Sequence, residues 1–177
     1  MARKTPVPTD DPLPLDGEKF VILLRHGIAQ EKEGKPDEER SLTATGHQRM
    51  KKIGRTLSQI FPGVDAIFSS PLRRCTETAE WVSRGYERAV VVTESAALAP
   101  AAAPADARTL ILTSETKRLI CVGHEPGLSA LMLLMTNMQA TEGIELKKGG
   151  CYGLRVQRDG KASVEWMLPP RFLRRER

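Results

Sequence analysis

The chain has 177 residues, of which 40% are hydrophobic and 28% charged, and this is enough for one domain with a buried core. No stretch approaches the ~18 uninterrupted apolar residues of a membrane span, so we expect no membrane association. The net charge of +5 suits anionic ligands, but only 5% of the residues are aromatic and no recognisable nucleic-acid motif occurs, so we expect no nucleic-acid partner.

The three cysteines are Cys75, Cys121 and Cys151, which are widely separated in the sequence. They form no C-x-x-C pair, and none lies at zinc-ligand spacing from a histidine. We therefore expect neither a disulfide framework nor a structural zinc site. Reduced thiols predict a cytoplasmic protein, and nothing in the sequence demands more than a monomer.

Proline and charge divide the chain into three parts. Residues 1–18 contain early charges and four prolines but no apolar signal-peptide core, which predicts a flexible leader rather than a secretory signal. Residues 19–170 are predicted to form a single domain. Residues 171–177 carry four arginines against one glutamate, which predicts a solvated basic tail.

The first predicted elements alternate between strand and helix. Apolar runs and helical spacing predict a strand, a helix, a strand and a helix over residues 20–27, 41–61, 64–70 and 70–85. We expect Thr43 to cap the first helix, and Ser70 and Pro71 to begin the second as its N-cap and first residue.

The alternation continues with a strand, a helix, a strand and a helix over residues 88–95, 104–113, 118–125 and 126–138. Two further strands at 151–157 and 163–168 flank the turn "RDGK" and predict an antiparallel hairpin. The predicted fold class is therefore a three-layer α/β/α sandwich, whose central sheet is mostly parallel with an antiparallel edge.

Unusual side chains follow three of the predicted strands. The first strand ends in Arg25-His26-Gly27, the second runs through two serines into Arg73-Arg74, and the fourth ends in Gly123-His124-Glu125. Open α/β sheets bind ligands at the carboxyl ends of their strands. We therefore expect two of the three histidines and three arginines to meet at one edge of the sheet.

This group of side chains favours an anion over a metal ion, because the arginines would repel a cation and no carboxylate cluster is evident. Phosphate is the best candidate, since arginine binds it in a bidentate manner and a helix start adds backbone donors. Neighbouring cations keep an imidazole unprotonated and nucleophilic. We expect His26 to attack phosphorus without a metal or other cofactor, and Gly27 to leave room for the phosphate.

Three segments, "LLRHGIA", "FSSPLRRCTETAE" and "VGHEPGLS", resemble the histidine phosphatase superfamily, which is also called phosphoglycerate-mutase-like. The resemblance implies the fold of that family, with His26 as phospho-acceptor and Arg25 beside it in the phosphate pocket. It also selects Arg74 as the phosphate-binding arginine, because Arg74 is the fifth residue of S-P-L-x-R. His124 becomes the second pocket histidine. His47 matches a variable position and is expected to be structural.

The segment between the S-P-L-x-R helix and the G-H strand bears on the substrate. In longer members of the family this region holds an acid that protonates a leaving alcohol. Here Glu94 and Asp106 are its only carboxylates up to Leu112, and neither has the family's acidic context. The pattern "LAP…ADA" instead resembles SixA-like phosphohistidine phosphatases. A phosphoramidate can leave without a dedicated acid, so we expect the substrate to be phosphohistidine on a phosphotransfer protein.

Two other functions remain open at this point. One is a small phosphatase of broad specificity that acts on acyl phosphates, aryl phosphates or metabolites. The other is a non-catalytic phosphate-binding module, although a module that only binds phosphate does not need a nucleophile. Any carboxylate that assists the attack of water is also undecided, and Glu125 and Asp106 are the two candidates.

Overall fold

The structure of the protein is a computed structural model that describes residues 17–32, 34, 36–140 and 144–174. The predicted leader therefore lies outside the described residues, apart from Gly17 and Glu18.

Six strands and five α-helices make up the described chain. The strands are β1 (Lys19–Arg25), β2 (Ala66–Ser69), β3 (Val92–Glu94), β4 (Arg118–Gly123), β5 (Cys151–Val156) and β6 (Ala162–Leu168). The helices are α1 (Ala44–Ile60), α2 (Arg73–Ser83), α3 (Pro104–Thr113), α4 (Gly127–Thr136) and α5 (Pro170–Leu173), with two short 3-10 helices at Asp37–Glu39 and Ala96–Leu98.

The strands form one sheet in the order β3-β2-β4-β1-β5-β6. The pairs β3–β2, β2–β4 and β4–β1 are parallel, whereas β1–β5 and β5–β6 are antiparallel. The predicted mostly parallel sheet with an antiparallel edge is confirmed. This topology brings the carboxyl ends of β1, β2 and β4 together at one edge.

Alternate residues of β1 face two separate cores. Phe20, Ile22 and Leu24 pack with α1 and α2, whereas Val21 and Leu23 pack with α3 and α4. This division follows from the two-residue repeat of a strand, which points successive side chains to opposite faces. The sheet is therefore the middle layer of the predicted three-layer sandwich.

Helix α2 begins later than the sequence predicts. Ser70 is not its N-cap, and Pro71 is not its first residue, because the backbone N–H of Ser70 still bonds the carbonyl of Val122 in β4 at 2.9 Å. The chain turns only at Leu72, which is the N-cap of the helix. Thr43, in contrast, caps α1 as expected, since its side chain accepts a hydrogen bond from the Gly46 N–H at 3.0 Å.

The predicted basic tail begins inside an ordered element. Helix α5 includes residues 171–173, and Leu173 is 1% exposed in the core that also contains Ile53. Burial of this leucine makes the helix part of the domain, so the domain extends at least to Leu173 rather than ending at residue 170. Residues 175–177 lie outside the described residues.

Candidate active site

The carboxyl ends of β1, β2 and β4 bring together the four side chains that the sequence predicts as a site. Arg25 ends β1, His26 follows it, Arg74 lies in the first turn of α2 and His124 follows β4. His26, Arg74 and His124 are each less than 8% exposed. The rings of the two histidines lie with their centroids 5.1 Å apart. Two histidines and two of the three expected arginines therefore lie at this edge, whereas Arg73 does not join them.

His26 is fixed in one orientation by its own backbone. Its Nδ1 lies 2.7 Å from the carbonyl oxygen of Gly27. A carbonyl only accepts, so Nδ1 carries the proton and Nε2 keeps its lone pair. Nε2 has no hydrogen-bond partner among the described residues. Burial, with smaller contributions from His124, Arg74 and Arg25, lowers the pKa of His26 to about 3. The ring is therefore a neutral imidazole with a free nitrogen.

His124 has the opposite tautomer. Its Nδ1 lies 3.3 Å from Nη2 of Arg74, and a guanidinium only donates, so Nδ1 accepts this hydrogen bond. The proton is then on Nε2, which lies 2.9 Å from the Ser70 hydroxyl. Burial and, second, the charge of Arg74 lower the pKa of His124 to about 4. His124 is therefore a neutral ring that accepts from Arg74 and donates its Nε2–H to Ser70.

The thiol of Cys75 is in contact with this histidine, with Sγ 3.4 Å from Nε2 of His124. Burial raises the pKa of Cys75 to about 12, so it stays a thiol and adds no charge to the site.

Arg73 and Arg74 are the first two residues of α2, but their side chains have different surroundings. Arg74 points to His124 and is 4% exposed, whereas Arg73 pairs on the surface with Glu77 at 3.0 Å. The choice of Arg74 that the sequence resemblance implied therefore agrees with its placement. His47 lies outside the site and accepts a hydrogen bond from the Trp81 indole at 2.9 Å, which is a structural contact.

Arg25 is held from the far side by the loop before β5. Its Nη1 donates to the carbonyl of Leu146 at 2.6 Å, and the N–H of Gly149 donates to the carbonyls of both Arg25 and His26 at 3.1 Å. Its Nε is buried and has no hydrogen-bond partner among the described residues. Arg25 therefore retains an unused donor.

Gly27 is needed for a different reason from the one expected. A Cβ there would lie 2.7 Å from Cγ of Met50 and 3.1 Å from Cδ2 of Leu42. The missing side chain therefore makes room for α1 rather than for a phosphate. The Gly27 N–H donates to the buried Thr78 hydroxyl at 3.0 Å, and this hydroxyl donates to the Arg74 carbonyl at 2.6 Å. One threonine thus ties the first strand end to α2.

Asp37 belongs to this cluster and was missed by the sequence analysis. Its Oδ2 accepts from Nη2 of Arg74 at 2.9 Å and its carbonyl from Nη1 at 2.8 Å, while Oδ1 accepts from Arg40 at 2.7 Å. The hydrogen bond from Arg40 and then that from Arg74 lower the pKa of Asp37 despite the opposing effect of burial. Thirty-seven residues separate Asp37 from Arg74, so no local pattern could have paired them.

The two undecided carboxylates have different surroundings. Asp106 lies in the first turn of α3, where its Oδ2 accepts from the Ala103 N–H at 3.3 Å, so it caps a helix. Glu125 follows His124 directly and is half-buried, and its Oε1 is buried with no hydrogen-bond partner in the described part of the chain. Burial, opposed by Ser129 and Arg25, raises the pKa of Glu125.

The described residues contain no group of three or more histidine, cysteine, aspartate or glutamate side chains that could hold a metal ion. None of their helices has both the length and the apolar character that crossing a membrane requires.

Comparisons with known proteins connect this arrangement to one family. A profile of the histidine phosphatase superfamily (branch 1) matches residues 21–99, which include the R-H-G and S-P-L-x-R segments. An uncharacterised protein of Picosynechococcus sp. is 29% identical over 164 residues, which is 84% of this chain and 99% of the relative.

Solved structures share the fold at low sequence identity. The protein histidine phosphatase SixA, complexed with tungstate, has a TM-score of 0.79 at 16% identity, and the match covers 87% of this chain and 99% of that chain. The phosphoglycerate mutase of Plasmodium falciparum has a TM-score of 0.64 at 17% identity over 84% of this chain and 89% of that chain. Residues 21–99 thus match the histidine phosphatase superfamily (branch 1), and the fold of the chain is SixA-like and phosphoglycerate-mutase-like.

Proposed function

We propose that this protein is a phosphatase that takes the phosphoryl group onto Nε2 of His26 and then passes it to water. The match of residues 21–99 to the histidine phosphatase superfamily supports phosphatase activity in general. The observation that carries the proposal is the state of His26, which is neutral, has Nδ1 bonded to a carbonyl and leaves Nε2 free beside two arginines. A nucleophilic nitrogen is what covalent phosphoryl transfer requires.

The pocket supplies positive charge and donors for the oxygens of the transferred group. Arg25 offers its unused Nε–H and Arg74 its guanidinium, which His124 holds in place through Nδ1. Such fixed donors stabilise the charge that develops on phosphoryl oxygens in the transition state. The fold relative SixA was solved with tungstate, a tetrahedral oxyanion, and an oxyanion at this edge is consistent with that complex.

The most favourable substrate for this pocket is phosphohistidine, carried by a phosphotransfer protein. His26 Nε2 forms a bond to phosphorus as the substrate's P–N bond breaks, and the electron pair returns to the leaving ring nitrogen. The leaving ring is protonated on its other nitrogen, so it departs as neutral imidazole. Water then attacks phospho-His26, its proton goes to the phosphate, and the pair of the second P–N bond returns to Nε2.

The carboxylate nearest to Arg74 does not supply an acid for an alcohol leaving group. The two arginines that bond Asp37 hold its pKa low, so it stays ionised and has no proton to donate. An alkoxide needs such a proton, and its delivery contributes about 10²–10⁴-fold in rate. This difference between leaving groups favours a nitrogen-bound phosphate.

A panel of substrates tests the proposal. Wild-type protein is expected to hydrolyse a phosphohistidine peptide at least about ten times faster, in kcat/KM, than the matching phosphoserine peptide, because only the alcohol needs the acid. His26→Ala serves as the blank. Comparable turnover of both peptides, or hydrolysis of phosphoserine alone, would contradict phosphohistidine specificity. No turnover of any phosphoryl donor would favour the non-catalytic phosphate-binding module.

One observation favours a second function, a phosphatase of broad specificity. Glu125 lies beside His124, and its raised pKa favours the protonated form that could donate to a leaving alcohol. If Glu125 has this role, Glu125→Gln lowers kcat on alkyl phosphates by about 10²-fold or more and leaves phosphohistidine hydrolysis unchanged. If alkyl phosphates are poor substrates of the wild type and the substitution does not change this, the second function is wrong.

A further inference from the structure

A wide groove lies beside the phosphate pocket on the side of α1 and α5. It has a volume of about 690 Å³, and six of the residues that line it are cations: Arg25, Arg49, Lys147, Lys148, Arg171 and Arg174. Glu145 is the only carboxylate among the lining residues that the structure describes. We call this surface the basic groove.

The basic groove shares one residue, Arg25, with the proposed site. Arg25 lines it and is also the residue that precedes His26. The loop that carries Lys147 and Lys148 is bonded to the same segment, since Leu146 accepts from Arg25 and the Gly149 N–H donates to the carbonyls of Arg25 and His26. A molecule bound in the groove would therefore contact Arg25 and these lysines next to the segment that carries His26.

The positive charge of the groove is not neutralised from within. Lys147 lies 3.9 Å from Glu145, but both side chains are more than 60% exposed, and such a surface pair is worth little. Arg174 is held in place by its Nε, which donates to the Pro170 carbonyl at 3.0 Å. Arg49 and Arg171 are exposed. The groove thus presents several ordered or accessible cations to a ligand.

We propose that the basic groove docks an acidic stretch of the protein that carries the phosphohistidine. The inference rests on the proposed function and adds to it the surface that selects the partner. Charge complementarity between a basic and an acidic surface speeds encounter and suppresses wrong partners. The lining residues that the structure describes include no aromatic side chain, which disfavours nucleic acid, because single strands are bound by stacking bases on aromatic rings.

Two phosphohistidine peptides of equal length test the inference, one with aspartate and glutamate around the phosphohistidine and one with serine and glutamine. For wild type at low salt we expect kcat/KM of the acidic peptide to exceed that of the neutral peptide about tenfold or more. The ratio is expected to shrink towards one as the ionic strength rises to about 0.5 M, because salt screens exposed charges.

Variants connect this preference to the groove. In Lys147→Ala/Lys148→Ala the acidic-to-neutral ratio is expected to fall to about threefold or less, and in Lys147→Glu/Lys148→Glu to drop below one. The control, Lys51→Ala/Arg88→Ala, removes two exposed cations outside the groove and is expected to keep the wild-type ratio. Circular dichroism of each variant confirms that it folds.

The outcomes separate this inference from the proposed function. Equal, salt-independent hydrolysis of both peptides overturns the inference and leaves the proposed function standing. The same holds if the control variant loses as much of the acidic-to-neutral ratio as the lysine variants do. Failure to hydrolyse either peptide, with turnover of phosphomonoesters, overturns the proposed function and this inference with it. Stronger competition by a single-stranded oligonucleotide than by the unphosphorylated acidic peptide would identify nucleic acid as the occupant and contradict the inference.

Discussion

The two pocket histidines hold their protons on opposite nitrogens, and a different neighbour fixes each one. The Gly27 carbonyl sets the tautomer of His26, and the Arg74 guanidinium sets that of His124. His26 therefore keeps a free lone pair, whereas His124 accepts from Arg74 and donates to Ser70. Covalent phosphoryl transfer needs a nucleophile and fixed donors, and the two tautomers let His26 serve as the nucleophile while His124 holds the Arg74 guanidinium.

Burial of two neutral histidines predicts a stability that depends on pH. The pKa values of His26 and His124 lie at about 3 and about 4, below the value of 6.5 for the unfolded chain. Between these values the unfolded chain binds protons that the folded chain does not, so stability falls as the pH drops below 6.5. Each histidine contributes a slope of about 1.4 kcal/mol per pH unit.

Urea unfolding of wild type and of His26→Gln/His124→Gln between pH 7 and about pH 4.5 measures this contribution. The variant is expected to lose less free energy of unfolding over the range than the wild type. Carboxylates contribute equally to both proteins and cancel in the comparison. Identical pH dependence in the two proteins would show that the histidines are not buried in neutral form.

Asp37 occupies Nη2 of Arg74, a donor that a phosphoryl oxygen would use. We therefore predict that Asp37→Asn binds inorganic phosphate several-fold more tightly, because the substitution removes a negative charge next to the anion and keeps an acceptor oxygen. The inhibition constant of phosphate measures this effect. Asp159→Asn is the control, since Asp159 pairs with Lys161 in the β5–β6 turn. Weaker phosphate binding by Asp37→Asn would show that Asp37 helps to build the pocket rather than competing for Arg74.

Helices α1 and α2 approach each other closely behind the site, and a glycine permits this. A Cβ at Gly54 of α1 would lie 2.4 Å from the carbonyl oxygen of Trp81 in α2. Because α2 carries Arg74 and Thr78, the distance between the two helices fixes where the phosphate-binding arginine stands relative to His26. The packing of α1 against α2 thus helps to set the geometry of the site.

Gly54→Ala is predicted to destabilise the protein by about 1–3 kcal/mol, because the backbone of α2 must move to admit the methyl group. Gly127→Ala in α4 is the matched control. A Cβ there meets nothing within 4 Å, so we expect little change in stability. Chemical denaturation of both variants measures the difference. A Gly54→Ala protein as stable as the wild type would mean that the helices separate without cost.

At the scale of the whole molecule, the sequence predicted those site residues that directly follow the ends of strands. His26 and His124 could be placed with Arg73-Arg74 because parallel strands bring their carboxyl ends to one edge. Only the family resemblance selected Arg74 over Arg73. Asp37 and the Leu146 loop could not be placed, because each joins the site through contacts between distant parts of the chain, and charged loops show no periodic pattern. The start of α2 was placed too early for a similar reason, since the Ser70 backbone stays bonded to β4.

Part of the molecule's excess positive charge lies in the basic groove. The sequence shows a net charge of +5 and an arginine-rich end, which was expected to be a solvated tail. In the fold, Arg171 and Arg174 instead stand beside the phosphate pocket on α5 and its end, together with Lys147 and Lys148. We therefore expect the excess of positive charge to act in substrate capture, as the proposed docking surface requires.

The measurement that tests the central claim most directly is the site of phosphorylation during turnover. Wild-type protein mixed with phosphoramidate and quenched in alkali should carry one acid-labile phosphoryl group, which peptide mass spectrometry assigns to His26 and ³¹P NMR to its Nε2. His26→Ala should carry none and should be inactive, whereas Arg88→Ala should label as the wild type does. Phosphate on another residue, or turnover by His26→Ala, would contradict the account.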